Sequence, residues 1–204
     1  MKTIIAFLAI GGVAFGQDAD SAAVGERANE LLNRVERARS EENQRKAAIE
    51  FQQLLQLNWH DSLVSQEIID RAAKVFAVRL KERDSADRAT AYRILVWTAG
   101  KEQLAPLQAA LGRESDWDNL RAAAQIVARL GNSKSAIACL ERVASTSEHR
   151  HEAIETLGLI GGDEAKKSLL GLLKKHPSWK PDIDKALDKI EETKSAERKA
   201  AAAK

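Results

Sequence analysis

The chain repeats itself, and this constrains its fold more than any other feature. Three segments align on a glycine: RILVWTAGKEQLAPLQAAL around Gly100, QIVARLGNSKSAIACLERV around Gly131 and ETLGLIGGDEAKKSLLGLL around Gly161. The glycines stand 31 and 30 residues apart. Ahead of them lie Ile94, Leu95 and Trp97, then Ile126, Val127 and Leu130, then Ile154, Leu157 and Ile160. Behind them come Leu104, Leu107 and Leu111, then Ala136, Leu140 and Val143, then Ala165, Leu169 and Leu173. Three-and-four spacing of this kind puts apolar residues on one face of a helix. Each unit therefore holds two helices, and neither can bury its apolar face without a neighbouring unit.

Polar turns separate the paired helices at 112–119, 145–149 and 176–182, which places hairpins at about 101–130, 133–160 and 163–191. Asn119, Ser147 and Asp182 are the expected N-caps of the second helices. Upstream, helical periodicity continues without glycine punctuation. One face carries Ala28, Leu31, Leu32 and Val35, another Ala48, Phe51, Leu54 and Leu55. A long apolar helix is expected from Leu63 and Val64 through Phe76, and Asp84 opens the next. Beyond Ile190 no large apolar residue remains, so 193–204 reads as a flexible or helical charged tail. Aromatics at 4%, only three prolines and abundant Ala and Leu favour helix over strand. The expected fold is all-α: a right-handed α-solenoid of stacked antiparallel helical hairpins, about five or six pairs long.

The segment LAPLQAALGRESDWDNLRAAAQIVARLG carries a further pattern. A proline lies in the first helix (Pro106), an Asp in the turn (Asp116 or Asp118) and an Arg opens the second helix (Arg121). Spaced alanines follow, then a closing Leu130-Gly131. This resembles a HEAT repeat of the short type named after phycobilisome lyases. HEAIETLGLIGGDEAKKSLLGLL repeats the second-helix and glycine elements, with His151 at the Arg121 position. The resemblance spans 86–192, leaving 17–85 as irregular N-terminal helical repeats or a cap. It implies an armadillo-type fold and a protein-binding scaffold.

Several chemistries are disfavoured by the residues themselves. Glycines followed by lysines at 156–170 look like a phosphate loop, but the Walker pattern needs Gly, four residues, then Gly-Lys-Ser/Thr. Here Asp163 stands five places after Gly158, and Asp163 and Glu164 would repel a phosphate while suiting a helix start. The expected role is a left-handed glycine ending one helix and Asp163 capping the next. Glu148 and His151 form one E-x-x-H pair, whereas a carboxylate-bridged di-iron bundle needs two such pairs and further carboxylates. RHEAIETLG also resembles a His-Glu motif of deoxyhypusine hydroxylase, mapping onto His151 and Glu152, but that family repeats the motif and this chain has it once. No metal or other cofactor is expected. A di-iron-type or lyase-like enzyme centred on His151 is the alternative to a scaffold. The single Cys139, among apolar helix positions, reads as a small buried hydrophobe. With a net charge of +2 and interspersed signs, nothing concentrates positive charge as nucleic-acid binders do.

The first sixteen residues differ from the rest. Lys2 precedes an uncharged apolar run from Ile4 to Phe15 that ends on Ala14 and Gly16. The run is short for a membrane span, and QDADS follows it. A secretory signal peptide over 1–16 is expected, with a mature chain from Gln17 in a secreted or periplasmic location and no stable membrane insertion after cleavage.

The candidate partner-binding residues follow from the solenoid. Second helices line its inner side, which offers Arg121, Gln125, Arg129, His151, Glu155 and Lys185. Trp59, Trp117 and Trp179 sit near turns at spacings of 58 and 62, about two units each. They are expected along one rim, either as interface anchors or wedged under their own turns. The expected partner is another protein, and an uncapped end stacking on a second copy would make a homo-oligomer.

Overall fold

The computed structural model describes residues 17–59, 63–146 and 148–202. The expected signal segment 1–16, His60 and Ser147 lie outside the described residues. Among those described, ten α-helices form five successive hairpins. They are α1 (Gln17–Arg37) with α2 (Glu41–Asn58), α3 (Gln66–Arg79) with α4 (Ser85–Thr98), and α5 (Leu104–Leu111) with α6 (Trp117–Arg129). Next come α7 (Ser133–Thr146) with α8 (Arg150–Ile160), then α9 (Gly162–Lys175) with α10 (Lys180–Ala202). Short 3-10 turns, Lys101–Gln103 and Pro177–Trp179, lead into α5 and α10.

Odd-numbered helices stack on one another in one layer and even-numbered helices in a second. A continuous core runs between the layers, from Leu31 and Phe51 through Phe76, Tyr92, Leu107, Ile126 and Leu140 to Leu157, Leu169 and Ile190. The Phe51 and Phe76 rings stack with centroids 5.9 Å apart, tying the first hairpin to the second. Cys139 is buried in this core, as its apolar neighbours predict.

The helix starts obey local rules, though not always at the expected residue. Ser40, Ser65, Asp84 and Asp116 are N-caps whose side chains accept from backbone N–H groups of the first turn. Asn119 is not the cap of α6. Its backbone N–H donates to Asp116 Oδ1 at 3.1 Å, and its buried amide donates to the Ser85 carbonyl at 3.0 Å. Asp182 lies inside the first turn of α10 because the Pro177–Trp179 turn starts the helix earlier. Nor does Asp163 cap α9. Gly161 occupies the cap position, and Asp163 pairs with Lys194 across the hairpin at 2.6 Å. Gly131, Gly161 and Gly162 take positive φ of 98°, 71° and 79°; the first two follow the ends of α6 and α8, as expected of a glycine closing a helix, whereas Gly162 opens α9. The helix expected from Leu63 begins instead at Gln66, since Ser65 caps it, and Val64 is buried just ahead of the cap. The charged tail continues α10 as helix to Ala202.

Polar contacts join one hairpin to the next. Arg45 on α2 holds Asp87 on α4 at 2.7 Å and the α4 cap Asp84 at 2.9 Å. Glu114, in the α5–α6 turn with only 1% of its side chain exposed, accepts from Arg88 Nε and Nη2 on α4 at 2.8 and 2.7 Å. It also accepts from the backbone N–H groups of Ser115 and Asp116 and from the Tyr92 hydroxyl. Burial pushes this carboxyl up, but Arg88 and the two N–H groups outweigh it and hold Glu114 below the usual glutamate range. Burial and the nearby Glu114 charge push the Tyr92 phenol up.

Candidate functional site

Because even-numbered helices run parallel in one layer, equivalent residues on them form rows across the hairpins. The caps Asp84 and Asp116 set the register of α4 against α6, and Gly131 and Gly161 set α6 against α8. Counting from these marks aligns Ala89, Arg121 and His151 in one row. Arg93, Gln125 and Glu155 form a second row, and Trp97, Arg129 and Leu159 a third. All nine are exposed or half-buried; most residues between them enter the core, but Val96 and Glu152 are exposed as well. The face they form is a mosaic of both charges, amides and exposed apolar side chains.

Arg121 is exposed, with only a loose 4.0 Å approach to Asp118. Gln125 is half-buried, and Glu155 and Lys185 are exposed. Arg129 has a second commitment: its Nη2 donates to the Leu95 and Ala99 carbonyls at 3.3 and 3.5 Å. It thereby satisfies the C-terminal end of α4, and the burial of its head group lowers the guanidinium pKa. Arg93, Trp97 and Leu159 escaped the sequence reading. The signal for the first two was present, since Asp84 opens α4 at the same distance from them as Asp116 stands from Gln125 and Arg129.

His151 does not pair with Glu148. Its Nδ1 lies 2.6 Å from Asp182 Oδ2 on α10, and its Nε2 faces Arg150 Nη2 at 2.6 Å. In the neutral ring that this fits, Nδ1–H donates to Asp182 and Nε2 accepts from Arg150, so both ring nitrogens are engaged. Glu148 points to solvent and approaches only His149, at 3.8 Å. Among the described residues no group of three or more His, Cys, Asp or Glu side chains is placed to hold a metal ion.

The tryptophans do not line a single rim. Trp117 opens α6 and Trp179 precedes α10, whereas Trp59 follows the last turn of α2 and Trp97 lies in the last turn of α4. Second helices are parallel, so the first two rings lie at the edge where these helices begin and the other two at the edge where they end. Residue spacing alone does not distinguish a turn before a helix from a turn after it. Each ring meets a partner across a hairpin or its own turn. Trp59 and Trp97 lie 5.3 Å apart, Trp117 stacks on His149 at 5.3 Å, and His176 stacks on Trp179 at 3.8 Å. The Arg150 guanidinium sits over Trp179 at 5.2 Å, a cation–π contact joining the fourth hairpin to the fifth.

A shallow surface groove lies at Glu30, Arg34, Arg37 and Asn43, between α1 and α2, and the outer face of α9 is open to solvent. No described helix is long and apolar enough to cross a membrane. No curated protein and no solved structure matches the chain significantly. The family model described as HEAT repeats matches residues 113–181, from the α5–α6 turn to the start of α10. Stacked hairpins and the glycine register agree with this match, and together they support a HEAT-repeat assignment for residues 113–181.

Proposed function

We propose that this chain is an exported, non-catalytic scaffold that binds another protein through the exposed face of α4, α6, α8 and α10. The observation that carries the reading is the ordered grid of exposed side chains on a rigid two-layer stack. A stack of this kind presents an extended, preformed surface, and HEAT repeats commonly mediate protein interactions. Arg93, Arg121, Gln125 and Glu155 are the residues of that grid with polar ends free to reach a partner, while Trp97 and Leu159 add apolar area beside them. Mixed charge and amide groups around apolar positions fit a protein surface better than a polyanion.

Export rests on segment 1–16, whose apolar run follows Lys2 and ends on the small residues Ala14 and Gly16. The test has two arms. Mass measurement of the protein recovered from the extracytoplasmic fraction should give a chain starting at Gln17. Charge reversal of Arg121 and Glu155 together should cut affinity for the captured protein partner at least tenfold, leaving the urea midpoint unchanged. Undiminished binding by that double variant would overturn the assignment of this face.

A further inference from the structure

Three of the described glycines lie in helix interiors, Gly25 on α1, Gly158 on α8 and Gly171 on α9. A close backbone approach accounts only for Gly158, since a Cβ at Gly25 would make an ordinary 3.8 Å contact with Ile68 Cδ1. A glycine in a helix interior is disfavoured against alanine, so it needs a reason. At Gly158 on α8 the reason is internal: a Cβ there would lie 2.9 Å from the Ala186 carbonyl oxygen and 3.0 Å from its Cα, so α10 can pack closely only on bare backbone. Gly171, in the middle of α9, faces nothing within 4 Å. The space above it is open, on the outer face of α9 that carries Asp163, Lys166, Lys167, Leu170, Gly171 and Lys174.

The rest of this face has a definite chemistry. Leu170 is 41% exposed beside Gly171. Asp163 is neutralised by Lys194 and Lys166 by Glu191, each at 2.6 Å. Lys167 and Lys174 have no ion-pair partner among the described residues. They stand seven residues apart on one helix face, about 10 Å along the axis, with the glycine between them. The face is thus an apolar and bare-backbone strip with an unpaired lysine toward each end.

We propose that the outer face of α9 is a second docking surface, separate from the even-helix grid, that takes an acidic amphipathic helix of a partner protein. A small residue of that helix crosses Gly171 at the close range that α10 adopts over Gly158, an apolar side chain covers Leu170, and carboxylates reach Lys167 and Lys174. A second copy of α9 is the wrong occupant, because two such faces in contact would set lysines against lysines.

The test uses the full chain with a synthetic amphipathic helix rich in Glu, Ala and Leu, and with its counterpart bearing Lys for Glu. Amide shifts by NMR and affinity by calorimetry are the readouts. The acidic helix should move resonances of 166–174 and weaken as salt rises, and the Lys counterpart should bind at least tenfold more weakly. Lys167→Glu with Lys174→Glu should reduce affinity at least tenfold, and Gly171→Leu should abolish binding while leaving the chain folded. Equal binding of both peptides, shifts on α6 and α8 instead, no binding, self-association through α9, or unaltered binding by Gly171→Leu would each overturn it. Reversal of Arg121 and Glu155 should leave this binding intact, which separates failure here from failure of the even-helix face.

Discussion

The same substitution, glycine to alanine, should have opposite effects at two places in this chain. At Gly158 the new methyl group meets backbone of α10: the Ala186 oxygen at 2.9 Å and its Cα and Cβ at 3.0 Å. Alanine gains about 1 kcal/mol of helix propensity over glycine. Forcing an extra carbon into a packed contact costs about 1–3 kcal/mol. The obstacle is backbone rather than a flexible side-chain tip, so the upper half of that range applies, and Gly158→Ala should lose about 1–2 kcal/mol net. At Gly171 nothing lies within 4 Å, so the propensity term stands alone and Gly171→Ala should gain about 0.5–1 kcal/mol. For a chain of this size each kcal/mol moves Tm by about 2–4 °C. Urea titration followed by circular dichroism and by tryptophan fluorescence measures both variants. Hydrogen exchange should locate the loosening from Gly158→Ala in α8 and α10. If Gly158→Ala is as stable as Gly171→Ala, the close packing of α8 on α10 is not as described and the contrast between the two glycines fails.

Glu114→Gln leaves the Arg88 guanidinium half-buried without its counter-charge and should cost about 3 kcal/mol, the scale of breaking a buried pair by removing one partner. Because the folded pKa of Glu114 lies below its unfolded value, its stabilisation is complete above the unfolded pKa and is lost as pH falls through the folded one. Urea midpoints of the wild-type chain should therefore decline on the acid side more steeply than those of Glu114→Gln. Arg129→Ala should free the Ala99 carbonyl, leave the Leu95 carbonyl with only the Ala99 N–H, and speed amide exchange in the last turn of α4, with binding through Gln125 and Glu155 retained.

The fold was largely legible because its signals are local and periodic. Helix faces, glycine punctuation and capping residues each act within a few positions, and together they marked the last three hairpins closely. The misassignments have physical causes. Asn119 has the chemistry of a cap, but Asp116 three residues earlier takes the role, and Asn119 is spent on the Ser85 carbonyl of the preceding hairpin. Asp163 suits a helix start by charge, yet its partner Lys194 lies 31 residues away, beyond any local rule. The candidate site was legible only in part. Arg121, Gln125 and Glu155 follow from the repeat register, as do Arg93 and Trp97 once Asp84 is aligned with Asp116. The engagement of His151 with Asp182, and of Arg129 with α4, depends on how hairpins meet, which the sequence of one hairpin does not contain. The tryptophan edges needed helix direction as well as spacing.

The central claim is that the exposed face of the even-numbered helices binds a protein partner, and site-resolved photocrosslinking in intact cells that produce the protein tests it most directly. A photoreactive residue is placed at Gln125 on that face and, separately, at the exposed Ala138 on the opposite layer. The account predicts one discrete crosslinked protein from Gln125, lost when Arg121 and Glu155 are reversed, and none of that species from Ala138. The same product from both positions, or none from Gln125, would contradict it.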